Sequence, residues 1–123
     1  MSASPLTLVL GATPNPSRYA FKATQRLQAQ GHPVFLLGIK AGEIGGQPIH
    51  LGHHLPSAPV DTVTLYLGPQ HQAEYYDYLL TLAPRRILFN PGTENPELQL
   101  LAEQSGIACE NACTLVLLAS GGY

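Results

Sequence analysis

The architecture of this chain is first indicated by LVLGATPNPSRYAF, residues 8–21. The stretch opens inside an apolar run, residues 6–10, that is bounded by Pro5 and Gly11 and is typical of a strand buried on both faces of a sheet. Two prolines on either side of Asn15 then make a loop, and helix-forming residues follow. A strand, a loop and a helix in this order predict the start of an α/β sheet, with the loop at the carboxyl end of its first strand.

Apolar runs and helical segments alternate along the rest of the chain. Strands are predicted over residues 6–10, 34–37, 62–67, 87–89 and 107–109, and helices over residues 17–30, 70–82 and 96–105. Residues 39–59, with four glycines and three prolines, are predicted to be irregular, and residues 114–118 form either a last helical turn or a short strand. The pattern predicts a three-layer, doubly wound, Rossmann-like parallel sheet of about five strands in the order 3-2-1-4-5.

Length and composition restrict the class of protein. The 123 residues predict one domain, residues 1–123, and 45% hydrophobic with 11% charged residues is typical of a folded chain. A net charge of −2 argues against nucleic acid as a partner, and no apolar stretch approaches the length that spans a bilayer. Without a signal-peptide pattern and with only two cysteines, the chain is expected to be cytoplasmic, with both thiols reduced.

The loop after the first strand has the chemistry of an anion site. A helix N-terminus presents unpaired N–H groups and a partial positive charge, Thr13, Asn15 and Ser17 add short polar groups, and Arg18 can hold a phosphate bidentately. The same residues have a purely structural interpretation, in which Ser17 caps the helix and Asn15-Pro16 is a turn. From the loop alone, both interpretations stay open.

The end of the second strand narrows the class of ligand. NAD-binding sheets place an acidic residue there to hold the ribose hydroxyls, whereas this chain has Lys40 and no acid before Glu43. A lysine at this position favours a ligand with a phosphate on its ribose, such as CoA or NADP, and disfavours NAD. The loop also lacks the G-x-G-x-x-G spacing of dinucleotide sites.

Several of these residues carry a family resemblance. The sequence resembles the small single-domain CoA-binding Rossmann-fold proteins, which are relatives of the CoA-binding domain in the alpha subunit of succinyl-CoA synthetase. The matching positions are Gly11-Ala12-Thr13, Asn15-Pro16 and Arg18, then Lys40, Glu43-Ile44 and Gly46, and finally the tail CTLVLL from Cys113 to Leu118. One departure is Gly38-Ile39, which replaces the family's asparagine-proline turn before the lysine.

The resemblance implies how CoA is held. Residues 11–19 would contact the diphosphate, Lys40 the ribose phosphate, and Tyr66 and Leu67 would flank the adenine or pantetheine path, with Pro91 and Gly92 on the far side. The implied cofactor-binding residues are Gly11, Ala12, Thr13, Asn15, Pro16, Ser17, Arg18, Tyr19, Lys40, Tyr66, Leu67, Pro91 and Gly92.

Catalytic and metal-binding residues are not indicated. The adjacent His53 and His54 point to opposite sides of an extended chain, which is poor geometry for a shared metal. Cys109 and Cys113 are more typical of buried cysteines than of nucleophiles, although Cys113 could begin a last helical turn and react there.

Three functions follow as hypotheses. The first is a module that binds CoA or an acyl-CoA without chemistry of its own. The second is an enzyme or enzyme subunit that uses NADP or CoA and is completed by a partner chain. The third is an interaction domain with a decayed nucleotide site. A homodimer through outward-facing residues among Tyr75, Tyr76 and Tyr78 is a further prediction.

Overall fold

A computed structural model describes residues 5–123, and within them it has one seven-stranded sheet with helices on both faces. The sheet order is β3-β4-β2-β1-β5-β6-β7, and the neighbouring strands pair in parallel except β3 with β4. The elements in chain order are β1 (Leu6–Ala12), α1 (Tyr19–Ala29), β2 (Val34–Gly38), β3 (Glu43–Ile44), β4 (Gln47–Leu51), β5 (Val60–Leu65), α2 (Tyr76–Leu82), β6 (Arg86–Phe89), α3 (Pro96–Gln104), β7 (Ala108–Asn111) and α4 (Thr114–Ser120).

The central strand β1 is buried on both sides, as its apolar run predicts. Leu8 and Leu10 pack with the residues of α2 and α3, whereas Val9 between them packs with Leu27 of α1 and Leu118 of α4. Successive side chains of a strand point to opposite faces, so one continuous apolar run serves both cores. The fold class predicted from the sequence, a doubly wound Rossmann-like sheet, is confirmed.

Two helices follow the predicted signals closely. The buried face of α1 consists of Ala20, Ala23, Thr24 and Leu27, whose small side chains let the helix lie close to the sheet. At the start of α3, the side chain of Asn95 accepts a hydrogen bond from the N–H of Leu98 at 3.2 Å, which is the predicted cap. None of the helices within residues 5–123 has the length and apolar character needed to cross a bilayer.

The strand count and order differ from the prediction. Residues 39–59 were predicted to be irregular, yet they contain the hairpin β3–β4, whose turn places Gly45 and Gly46 at φ +56° and +83°. Such a Gly-Gly turn favours a two-residue hairpin, although Pro48 and the many glycines weigh against a strand. Because β4 pairs with β2, the predicted third strand lies on the other side of β1, as β5.

The segment predicted as one helix over residues 70–82 is also different. It begins with two single-turn 3₁₀ helices, Pro69–His71 and Ala73–Tyr75, and only then becomes α2. Tyr75 and Tyr78 are 5% and 6% exposed and belong to the core, so of the three tyrosines only the half-buried Tyr76 can contribute to the predicted contact surface. The homodimer stays a prediction.

Candidate functional site

A cavity of about 760 Å³ opens at the carboxyl end of the sheet, where the loops after β1, β2, β5 and β6 meet. The chain passes from β2 on one side of β1 to β5 on the other, and this is the switch point at which doubly wound sheets bind ligands. The lining consists of Gly11, Ala12, Thr13, Asn15, Ser17, Arg18, Tyr19, Ala20, Ile39, Lys40, Tyr66, Leu67, Gly68, Pro91, Gly92 and Thr93.

Nearly all of the predicted cofactor-binding residues meet in this cavity. Only Pro16 among them is not part of the lining. Four lining residues, Ala20, Ile39, Gly68 and Thr93, were not predicted. Each is the immediate neighbour of a predicted site residue. Their side-chain types do not indicate a ligand site, but their positions next to the predicted residues could have done so.

Gly11 sets the direction of the loop after β1. The pairing register with β2 shifts between Leu10 and Ala12, so Gly11 is a bulge inside the strand rather than its end as predicted. Its φ is +102°, and a Cβ there would lie 2.8 Å from the backbone carbon of Tyr66. Only glycine meets both conditions without strain. The bulge brings the following loop over the carboxyl end of β5.

The N-terminus of α1 has no side-chain cap. Ser17 donates its N–H and hydroxyl to Asn15 Oδ1, at 3.0 and 2.8 Å, and this turn directs the hydroxyl away from the helix. The N-cap position belongs to Arg18, whose side chain makes no capping hydrogen bond, and the first turn has no acidic residue. The interpretation in which Ser17 caps the helix is therefore wrong. The first amide groups of α1 have no side-chain acceptor, which suits a bound anion.

The charged residues of the lining are all cationic. Arg18 and Lys40 are exposed and lie on the loops after β1 and β2, and no Asp or Glu belongs to the lining. The chain has only 6 Lys and Arg against 8 Asp and Glu, so two unopposed cations beside a free helix N-terminus make a local positive field in an acidic protein. This end of the cavity is suited to phosphate groups.

Two large hydrophobic residues of the lining, Tyr19 and Ile39, are adjacent in sequence to these cations. Tyr19 is 70% exposed and Ile39 is 81% exposed. Lys22 Nζ lies 5.5 Å from the centre of the Tyr19 ring. Large apolar side chains left exposed at a cavity rim favour contact with a flat apolar group, such as a nucleotide base.

The wall of the cavity formed by the loop after β6 is held in place by a buried hydrogen-bond network around Asn90, which is 2% exposed. Its side chain donates to Thr64 Oγ1 at 2.7 Å and to the Leu65 carbonyl at 2.8 Å, and it accepts from the N–H of Thr114 at 2.9 Å. Its own carbonyl accepts from Thr93. Asn90 thereby positions the turn from Pro91 to Thr93. Every member of the network is satisfied, so this wall is preformed.

Gln72 joins the loop after β5 to the loop after β6. It is fully buried, and its Nε2 donates to the carbonyls of Leu67 at 2.9 Å and Thr93 at 2.8 Å. Its Oε1 accepts from Asn95 Nδ2 at 3.0 Å. Sequence reasoning missed this residue because a glutamine in a polar segment usually faces solvent.

The titratable groups near the cavity do not form an acid–base pair. Burial raises the pKa of Tyr66 to about 12, against a smaller lowering by the hydroxyls of Thr114 and Thr64. Its phenol is therefore a neutral donor at ordinary pH. Burial likewise raises the pKa of Cys109 to about 11, which keeps that thiol protonated. Cys113 occupies the N-cap position of α4, is half-buried, and is not part of the lining.

The histidines lie outside the cavity. His50 stacks on Phe35 with ring centres 4.4 Å apart and on His54 at 4.7 Å, and His53 Nε2 lies 3.4 Å from Glu74 Oε2. Stacked imidazoles do not converge on a common point. Within residues 5–123, no three His, Cys, Asp or Glu side chains are arranged to hold a metal ion.

A second depression, of about 790 Å³, lies away from the carboxyl ends of the strands. It is bordered by the turn between α1 and β2 and by the β3–β4 hairpin, including Gln28, His32 and Gln47. It has no Lys, Arg, Asp or Glu in its lining. The chemistry for a charged ligand is therefore in the first cavity, despite the similar volume.

The doubly wound sheet with a cavity at its switch point defines a Rossmann-like α/β domain. This chain belongs to the family described as CoA binding domain, whose model matches residues 6–119. No curated protein matches the sequence.

Solved structures share this fold. A crystal structure of an uncharacterized protein is 46% identical, with a TM-score of 0.92 over 99% of this chain and 100% of that chain. The cell-free ID.343 protein of Thermus thermophilus is 22% identical, with a TM-score of 0.85 over 98% and 91%. The dinucleotide-forming acetyl-coenzyme A synthetase 1 of Ca. Korarchaeum cryptofilum is 17% identical, with a TM-score of 0.69 over 85% of this chain and 25% of that chain. The last two likenesses concern the fold alone.

Proposed function

We propose that this protein is a cytoplasmic module, formed by the single domain predicted for residues 1–123, that binds CoA or an acyl-CoA ester in the cavity beside β1. The observation that carries the proposal is the N-terminus of α1, which has no side-chain cap and faces a cavity where, among residues 5–123, Arg18 and Lys40 are the only charged lining residues. CoA has phosphate groups at its nucleotide end and a neutral, extended pantetheine arm, and the two halves of this cavity differ in the same way.

The proposed pose follows the positions of the loops. The diphosphate lies on the first turn of α1, within reach of Arg18, and the ribose phosphate lies near Lys40. The base contacts the exposed side chains at the mouth, Tyr19 and Ile39. The pantetheine arm passes Tyr66 toward the wall at Pro91–Thr93, which is preformed and has no Lys or Arg.

The ribose phosphate provides a sharp test. Calorimetric titration should show CoA binding about tenfold more tightly than 3′-dephospho-CoA, because one charge-assisted contact to Lys40 is lost. In Lys40→Ala, CoA should weaken to the level of dephospho-CoA, whereas dephospho-CoA itself should change little. Arg26→Ala is the matched control, since Arg26 lies in the last turn of α1, away from the lining, and its removal should leave both affinities unchanged.

Other outcomes would contradict the proposal. Binding of NADP without binding of CoA would favour a different cofactor. If the titration detects no binding of CoA, acetyl-CoA, NAD or NADP at millimolar concentration, the result would instead favour an interaction domain whose nucleotide site has decayed.

A second candidate is an enzyme that uses NADP or CoA, or an enzyme subunit completed by a partner chain. It is favoured by the likeness to the acetyl-coenzyme A synthetase, where the similar region is only part of a larger chain. For a binding module, incubating acetyl-CoA with the purified chain should release no free thiol above the background rate, as measured with a thiol reagent. Release above background that is lost in Arg18→Ala would favour an enzyme that acts without a partner chain.

A further inference from the structure

The wall of the cavity farthest from Lys40 has a carboxylate directly behind it. Glu94 Oε1 accepts a hydrogen bond of 2.8 Å from the N–H of Gly92, which is a lining residue. Gly92 has a φ of +92°, and both residues belong to the loop between β6 and α3. Glu94 is exposed, and its charge is therefore one hydrogen bond removed from the cavity.

Within residues 5–123, no Lys, Arg or His nitrogen lies within 4 Å of that carboxylate. Arg18 and Lys40 are on the loops after β1 and β2, at the opposite side of the cavity, and Lys22 and Arg26 are on α1. The remaining two arginines are at the start of β6, at the amino ends of the strands and thus opposite the cavity. There Arg85 donates to Asp61 and Arg86 donates to Thr62. The lining is thus positive at one end, while the loop at its other end has a carboxylate one hydrogen bond away.

We propose that Glu94 is a specificity-determining residue that disfavours CoA esters whose acyl group ends in a carboxylate. The inference rests on the proposed function, because the pose of CoA is what brings the acyl end to the loop after β6. Phosphates at the positive end orient the ligand, and a terminal carboxylate would then approach Glu94 without a cation between them. Free CoA and esters of monocarboxylic acids bring no such charge.

Matched pairs of esters isolate the effect. Butyryl-CoA and succinyl-CoA have the same length and differ by a methyl against a carboxylate, as do propionyl-CoA and malonyl-CoA. In calorimetric titration at low salt, the neutral ester of each pair should bind about fivefold more tightly, as expected for like charges partly screened by water. In Glu94→Gln, whose amide oxygen can still accept from Gly92, the members of each pair should bind equally.

Glu97→Gln is the control, because it removes one negative charge from the neighbouring turn of α3, where Glu97 accepts from the Tyr76 hydroxyl instead of a lining residue. It should leave the fivefold ratio in place. Raising the salt concentration for the unaltered protein should reduce the ratio, which tests the charge effect without any substitution.

The outcomes separate this inference from the proposed function. If CoA binds and the paired esters bind equally to the unaltered protein, the role of Glu94 is wrong while the CoA site stands. A ratio that falls equally in Glu94→Gln and Glu97→Gln also overturns it, since the effect would then be one of net charge. If no CoA compound binds, both proposals fail.

Discussion

Single glycines determine how closely the backbones approach at the carboxyl end of the sheet. Gly11 lies against the backbone of Tyr66, and a Cβ on Gly38 would overlap the carbonyl oxygen of Ala12. Gly11 is the last residue but one of β1 and Gly38 is the last of β2, so both lie just before a cavity loop. With a side chain at position 11, the loop after β1 could not lie against the backbone that follows β5. With a side chain at position 38, the end of β2 could not lie this close to the end of β1.

Gly11→Ala should therefore be costly. The substitution combines a left-handed backbone with a backbone overlap, and it should lower the free energy of unfolding by about 1–3 kcal/mol or more, as measured by urea denaturation. Gly46→Ala is the matched control, because Gly46 has a φ of +83° but nothing within 4 Å of its Cβ position. An equal loss in both variants would show that the contact with Tyr66 adds nothing.

At the scale of elements, the amino ends of β5 and β6 are joined by an ion pair. Arg85 donates to the two carboxylate oxygens of Asp61 at 2.9 and 3.1 Å. The hydrogen bond from Arg85, ahead of a smaller opposing effect of burial, holds the pKa of Asp61 below its ordinary value of 3.8. The folded state therefore binds a proton at Asp61 less readily than the unfolded state does.

This difference has a definite sign in pH. The contribution of the pair is fully present at neutral pH and is lost as the pH falls below about 4. Asp61→Asn should lower stability at pH 6 by no more than about 1 kcal/mol, since the arginine is largely exposed, and the difference from the unaltered protein should shrink at pH 3. When Arg85 is also replaced by Gln, the loss of stability caused by Asp61→Asn should depend less on pH. A difference that grows toward pH 3 would contradict the sign.

The elements also show where sequence patterns are reliable. Helices α1 and α3 begin and end near the predicted residues because their apolar spacing, the Asn95 cap of α3 and the glycines at their ends, Gly31 and Gly106, are local features. The 3₁₀ turns before α2 could not be predicted in this way. They form where Gln72 is buried and donates to the carbonyl of Leu67, five residues away, and to that of Thr93, 21 residues away.

At the scale of the whole molecule, Gln72 couples two halves of the cavity that are distant in sequence. Gln72→Leu keeps the volume but leaves the carbonyls of Leu67 and Thr93 without their donor, and it should lower the free energy of unfolding by about 2 kcal/mol or more. The affinity for CoA should fall as well, since Leu67 and Thr93 both line the cavity. Circular dichroism in urea and calorimetry give the two readouts.

Gln70→Leu serves as the comparison for this prediction. Gln70 is exposed on the same segment, and its replacement should change stability by less than about 0.5 kcal/mol. If Gln72→Leu is as mild as Gln70→Leu, the loops after β5 and β6 are held by packing alone.

The sequence by itself determined the class of this protein. Apolar runs that alternate with helical segments indicated a doubly wound sheet, and the loop after β1 together with Lys40 pointed to the region where the cavity lies. Such signals are local, because strand burial, helix caps and turn residues depend on neighbours along the chain.

Only the tertiary structure decided the rest. The hairpin β3–β4, the position of β5 beside β1, the free N-terminus of α1 and the carboxylate of Glu94 behind Gly92 all depend on contacts or backbone angles that residue type does not specify. Whether Ser17 caps a helix or turns away to Asn15 is a choice between two local hydrogen bonds of similar strength. In the structure Ser17 bonds Asn15, and this leaves the first turn of α1 without a cap from Ser17.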